Sequence, residues 1–231
     1  MSYQLPDGFL WGGATDDFQF EGGFDQGGRG YYPRYSKEIW RHHDVNEIIF
    51  EEGDEDILKE GQLDFISFSY YRSNTTEAGD DWFNVGGSGN PYLKETPWGW
   101  AVDPLGLRHV MNEIYDRIQK PIFIVENGMG AIDQADENDY VEDDYRIDFL
   151  RDHLQNMADA INIDGVECLG YTMWAPIDLV SLSTGEMKKR YGFIYVDMDD
   201  KGNGSLKRTP KKSYQWMKAI VESNSQKLAE L

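Results

Sequence analysis

Glu126 is the residue whose type and position most clearly suggest chemistry. It follows the apolar run Ile122 to Val125 and precedes Asn127 and Gly128. Side chains at the carboxyl ends of parallel strands point into the mouth where such folds hold their sites, which makes this carboxylate a candidate site residue. The alternative interpretation is a strand-ending turn, in which Glu126 is merely solvated and Asn127 and Gly128 supply positive backbone angles.

A basic stretch in an acidic chain is the second candidate. The 231 residues hold 22 Lys and Arg against 42 Asp and Glu, yet residues 188–212 hold eight Lys and Arg against three Asp. If the protein handles an anion, we expect it to do so there; otherwise residues 188–190 are an ordinary solvated charge run. The acidic stretches, residues 44–60 and 133–148, are expected to be solvated faces.

Composition excludes several classes of function. A net charge of −20 repels nucleic-acid phosphates and anionic membranes. No run approaches the roughly 18 apolar residues of a membrane helix, and residues 1–13 lack the features of a signal peptide. The single cysteine, Cys168, favours a reducing compartment and is expected to be buried. We therefore expect one cytoplasmic domain over residues 1–231, with no nucleic-acid partner, membrane partner, metal or cofactor.

Strands alternate with helices in the pattern of apolar residues, which predicts a parallel α/β architecture. Strands are predicted over residues 9–15, 64–71, 121–126 and 166–174, and the first two are typical of buried strands. Helices are predicted over 103–118, with Asp103 as cap and Pro104 at the first position, and over 147–161. Further helices are expected around 35–49 and 211–223, and a hairpin is expected from 193–196 and 205–207.

Three motifs in this order carry a resemblance to a known family. They are FLWGGAT from Phe9 with QFEG from Gln19, FIVENG from Phe123 and GYTMW from Gly170. They resemble glycoside hydrolase family 1, the retaining β-glycosidases, whose fold is a (β/α)8 TIM barrel. The resemblance implies that Glu126 is the nucleophile, that Tyr71 orients it, that Gln19 binds sugar hydroxyls and that Trp174 lies beneath the sugar ring.

Residues 178–192 resemble the loop with which 6-phospho-β-glucosidases of that family bind a sugar 6-phosphate. Ser181, Lys189 and Tyr191 match the phosphate ligands of this subgroup. A hydroxyl, an ammonium and a phenol can each donate to phosphate oxygens. The resemblance therefore implies a 6-phosphorylated β-glucoside as partner. Trp98 and Trp100 are expected to serve in packing.

Half of the family pattern is missing from this chain. What lies between the first and sixth strands is absent, with an apparent junction near residues 27–30, so a half-barrel of strands 1, 6, 7 and 8 is predicted. The acid/base carboxylate that retaining glycosidases require belongs to the absent fourth strand, and Glu47 lacks its context. We expect impaired hydrolysis of 6-phospho-β-glucosides. The alternative is an inactive half-barrel that binds phosphosugar weakly or only oligomerises, with exposed edges that favour a homodimer.

Overall fold

A computed structural model describes residues 3–14, 52–53, 56, 63–75 and 89–230. The predicted helix at 35–49, the junction near 27–30 and the residues Gln19 and Glu47 lie outside these ranges. In the described ranges no helix is long and apolar enough to cross a membrane.

Four parallel strands form the central sheet. They are β1 (Leu10–Ala14), β2 (Ile66–Ser69), β3 (Ile122–Glu126) and β4 (Cys168–Trp174). The spatial order is β1-β4-β3-β2, and Leu10 pairs with Gly170 while Ile66 pairs with Ile122. This is the order in which strands 1, 8, 7 and 6 of a closed eight-stranded barrel are neighbours. The predicted partial barrel is therefore confirmed.

In the described ranges, three α-helices flank or follow the sheet. They are α1 (Pro104–Ile118), α2 (Asp144–Asn162) and α3 (Lys212–Glu222), and a 3₁₀ turn spans Gln226–Ala229. Helix α1 begins as predicted, because the side chain of Asp103 accepts a hydrogen bond of 2.9 Å from the amide of Gly106 and Pro104 needs no such partner.

The main core lies between the sheet and these helices. Leu107 of α1, Leu154 of α2 and Ile122 of β3 are all fully buried. Cys168 is buried as predicted, and burial raises the pKa of its thiol to about 11.

The outer strands are more exposed than the sequence predicts. Leu10 of β1 is 57% exposed, and Phe65, directly before β2, is 44% exposed. The prediction of two buried strands was wrong, because β1 and β2 are the edge strands of the sheet that the described residues form. An apolar run indicates burial on both faces only when neighbouring strands and layers cover it.

The hairpin is also displaced from its predicted position. Strand β5 (Ile194–Val196) pairs with β6 (Arg208–Pro210), not with residues 205–207. Residues 205–207 lie just beyond the ladder, where the carboxylate of Asp197 accepts from the amide and the hydroxyl of Ser205 and the backbone of Asp197 bonds to Leu206 and Lys207. Leu206 adopts a φ of 59°, which departs from the extended backbone of a strand.

Candidate active site

Glu126 lies at the carboxyl end of β3, half-buried, with its side chain held by Tyr71. The phenol of Tyr71 donates a hydrogen bond of 2.9 Å to Oε2 of Glu126. Burial raises the pKa of Tyr71 above its usual range, and the Glu126 carboxylate raises it further. Tyr71 is therefore a permanent donor at neutral pH, and Oε1 of Glu126 has no hydrogen-bond donor among the described residues.

Asn127 fixes the backbone beside Glu126 and does not form a solvated turn. Its side chain is fully buried, donates to the carbonyl of Tyr70 at 2.6 Å and accepts from the phenol of Tyr171 at 2.6 Å. Its carbonyl accepts from the amide of Trp174 at 2.9 Å. These bonds tie the ends of β2, β3 and β4 together and contradict the turn interpretation of Asn127.

The residues matched to phosphate ligands form one cluster in space. The hydroxyl of Ser181 lies 3.2 Å from that of Tyr191 and 3.2 Å from that of Ser183, and the ammonium of Lys189 donates to Ser183 at 3.2 Å. Ser181, Lys189 and Tyr191 are buried, whereas Ser183 is exposed. The structure thus brings together all three predicted residues and adds Ser183. In the sequence, the only sign of this residue was its position two residues after Ser181.

Lys189 is a buried cation without a carboxylate partner among the described residues. Its ammonium lies 4.3 Å from the ring centroid of Trp100 and 5.3 Å from that of Trp98, distances at which cation–π attraction operates. Burial lowers the pKa of Lys189, and the positive charge of Arg72 lowers it further. Trp98 and Trp100 are therefore part of the cluster and not packing alone.

Trp100 also reaches the Glu126 side of the site. Its ring meets that of Tyr71 edge-on at a centroid distance of 5.7 Å, and Thr96 binds both the amide and the carbonyl of Trp100. One anchored indole therefore contacts both the Lys189 ammonium and the tyrosine that binds Glu126.

Backbone pairing joins the segment after β3 to the loop at 178–192. Ala131 and Arg190 exchange two backbone hydrogen bonds of 2.8 and 2.9 Å. Gly130 makes room for Lys189, because a Cβ atom there would lie 2.8 Å from Cε of the lysine. Trp174 packs with Ala175, Leu179 and Tyr191, so the last residue of β4 contacts the same loop.

A buried ion network supports this loop from behind. Oδ1 of Asp178 accepts from Lys211 at 2.7 Å and from the amide of Gly192 at 2.9 Å, and Oδ2 accepts from Arg190 at 3.0 Å. Asp178 thus holds both ends of the 178–192 loop together.

The ion network extends into residues 133–148, the acidic stretch that the sequence predicts to be exposed to solvent. Asp133 binds Lys211 and Arg146, and Asp143 binds Arg146 at 2.8 Å, with the side chains of both aspartates fully buried. Burial alone would raise the pKa of Asp133, but Arg146 and Lys211 hold it below its ordinary value. The prediction of a solvated face at 133–148 was wrong for these two residues, because their cationic partners come partly from distant positions in the chain.

Comparison with known proteins decides the family. The model of "Glycosyl hydrolase family 1" matches residues 29–226. The chain belongs to glycosyl hydrolase family 1. The resemblance seen in the sequence motifs is therefore confirmed.

Among curated proteins, the chain is 51% identical over 206 residues to an aryl-phospho-β-D-glucosidase, BglH, of Bacillus subtilis. That match covers 87% of this chain and 44% of the relative. The 6-phospho-β-glucosidase AscB of Escherichia coli is 48% identical, with 95% of this chain and 47% of the relative covered. The chain thus spans less than half the length of these relatives.

Solved structures of glycosyl hydrolase family 1 share the fold. The β-glucosidase of Thermotoga maritima in complex with azafagomine aligns with a TM-score of 0.66 and 27% identity, covering 85% of this chain and 42% of that one. Coverage of under half the neighbour is consistent with a partial barrel.

Proposed function

We propose that this chain binds a 6-phosphorylated β-glucoside and carries the nucleophilic half of a retaining glycosidase site. The observation that carries the proposal is the contact of Trp100 with both Tyr71 and Lys189. Through this contact the Glu126–Tyr71 pair lies close to Lys189, which has no carboxylate partner among the described residues, and to the hydroxyl cluster that includes Ser181. Relatives of about 50% identity named for phospho-β-glucosides support the same substrate class.

In this proposal Oε1 of Glu126 attacks the anomeric carbon, and the bond from that carbon to the leaving oxygen breaks. Tyr71 holds Oε2, while Trp174 lies beneath the sugar ring and Gln19 binds its hydroxyls. Ser181, Lys189 and Tyr191 bind the 6-phosphate, to which a buried ammonium and two hydroxyls offer charge and hydrogen bonds.

The leaving oxygen lacks an acid donor on the described sheet. A retaining mechanism needs a second carboxylate about 5–5.5 Å from the nucleophile, yet Glu126 is the only carboxylate in the four strands. Loss of general acid/base catalysis typically costs about 10²- to 10⁴-fold in rate. We therefore expect slow cleavage of substrates with good leaving groups and much slower cleavage of natural disaccharide phosphates.

A second candidate function is phosphosugar binding without turnover. The single carboxylate of the described sheet and the 44% coverage of a relative favour it. The two candidates differ only in whether Glu126 forms a bond to the sugar.

The test is intact-mass spectrometry after incubation with 2,4-dinitrophenyl 2-deoxy-2-fluoro-β-glucoside 6-phosphate, which needs no acid assistance to react. An adduct on the peptide that contains Glu126, absent in Glu126→Gln, is expected. The unphosphorylated reagent is the matched control and should label far more slowly. A folded protein that binds glucose 6-phosphate but forms no adduct would establish the non-catalytic alternative.

A further inference from the structure

Arg72 is a second cation at the aromatic residues that surround Lys189. Its guanidinium carbon lies 5.3 Å from the centroid of the Trp100 ring, whose centroid is 4.3 Å from the Lys189 ammonium. Arg72 is half-buried and follows Tyr71 directly at the end of β2. Two positive side chains therefore approach one indole.

The donors of Arg72 are unused in the part of the chain that the structure describes. No described carboxylate pairs with it and no described oxygen accepts from it. With respect to the described residues, the five N–H donors of Arg72 are therefore open to a ligand. The other arginines within the described core behave differently, since Arg146 and Arg190 are both paired with aspartate.

Two cations that approach the same ring repel each other, and no described carboxylate lies within ion-pair distance of either. Burial and then the positive charge of Arg72 lower the pKa of Lys189, and Glu186, which pairs with Lys188, offsets this only in part. The chain has a net charge of −20. Two neighbouring cations with no carboxylate partner among the described residues therefore indicate a site for an anionic ligand. A ligand with two negative charges would relieve the repulsion more than a ligand with one.

We propose that Arg72 is a specificity-determining cation of the phosphate site, acting with Lys189 to select the doubly charged phosphate ester over singly charged groups. This inference rests on the proposed function and adds to it a residue outside the 178–192 loop. A phosphate monoester is largely dianionic above its second pKa of about 6, whereas a sulfate ester remains monoanionic.

Calorimetric titration at pH 7.5 with glucose 6-phosphate, glucose 6-sulfate and glucose tests the inference. Arg72→Met should weaken binding of the phosphate about tenfold or more, as expected for loss of a charge-assisted contact, and should weaken binding of the sulfate less. Arg72→Lys should retain part of the discrimination. Arg72→Gln is a second neutral variant if Arg72→Met does not fold.

The control is Arg117→Met, which removes the same charge from the exposed last turn of α1 and should leave all affinities unchanged. If the unchanged protein prefers glucose 6-phosphate but Arg72→Met keeps the same phosphate-to-sulfate ratio, the role of Arg72 is refuted while the proposed function stands. If the unchanged protein has no preference for the phosphate over glucose, the proposed function fails and the inference fails with it.

Discussion

Two neighbouring tyrosines in this protein bind different partners. Glu126 is bound by Tyr71 through Oε2, whereas the neighbouring Tyr70 donates in a different direction, to the carbonyl of Asp103 at 2.7 Å. These adjacent tyrosines, which directly follow β2, thus serve the site and the core separately, because successive side chains of an extended segment point to opposite sides.

Replacement of Tyr71 tests this division. Tyr71→Phe should slow covalent labelling of Glu126 about 10-fold or more, because a hydrogen bond to a charged group contributes about 1.5–3 kcal/mol. The rate constant of adduct formation is the measurement. Tyr70→Phe is the matched control and should lower stability without slowing labelling; equal slowing in both variants would contradict the role of Tyr71.

Loops and helices are stabilised here by buried charge as well as by apolar packing. Asp178 connects Lys211, Arg190 and the amide of Gly192, so the geometry of the 178–192 loop depends on a carboxylate outside the site. In α2, His153 is fully buried and donates through Nδ1 to the carbonyl of Phe149 at 2.7 Å, and its Nε2 has no hydrogen-bond partner among the residues that the structure describes.

Removal of the Asp178 charge should loosen the loop. Asp178→Asn removes the negative charge that balances the buried Lys211 and Arg190. Removal of one partner of a buried ion pair lowers the free energy of unfolding by about 3–5 kcal/mol. Urea unfolding should show that loss, and binding of glucose 6-phosphate should weaken. Asp148→Asn removes a carboxylate that is 66% exposed and should cost less than about 1 kcal/mol; similar losses in the two variants would argue against the network.

The burial of His153 predicts a pH dependence of stability. Burial lowers its pKa from 6.5 to about 4 in the folded protein, so the unfolded chain takes up this proton first as the pH falls. Stability should therefore decrease between pH 6.5 and about 4, by about 3 kcal/mol in total from this residue, and the effect should be absent above pH 6.5.

The variant His153→Phe isolates that contribution. It keeps a buried ring and removes the titration, so its free energy of unfolding should depend less on pH than that of the unchanged protein. Urea unfolding at pH 7.5, 6.0 and 5.0 measures the difference. Parallel pH profiles for the two proteins would show that His153 is not the source.

On the scale of the whole molecule, the open sheet is the unusual feature. In a closed barrel each edge of this sheet would pair with a further strand, and such pairing is absent among the described residues. Unpaired strand edges with exposed apolar side chains, such as Leu10 at 57%, favour association with another sheet.

We therefore predict a homodimer through the exposed edges. Light scattering coupled to size exclusion should give twice the chain mass of 26.6 kDa, and Leu10→Lys should shift the protein toward the monomer. Ile163→Lys changes a side chain of similar exposure, 56%, after α2 and away from the edges, and should have no effect. A compact monomer at all concentrations would refute the prediction.

The sequence by itself determined the alternation of strands and helices, the capped start of α1 and the position of Glu126 at the end of the apolar run Ile122 to Val125. These features depend on local periodicity and on short contiguous motifs, which a linear chain displays directly. Ser181, Lys189 and Tyr191 are predicted from the resemblance of residues 178–192 to the phosphate-binding loop of 6-phospho-β-glucosidases.

Only the tertiary structure decided which charges are buried and which aromatic residues meet the site. Asp133 is paired with Lys211 and Trp100 with Lys189 across long separations in the chain, and neither pairing leaves a periodic signal. The role proposed for Arg72 likewise depends on its contact with Trp100, which is distant in the sequence. Burial and electrostatic coupling depend on distance in space, and in this protein that distance is set by the strand order β1-β4-β3-β2 and by the loops that follow the strands.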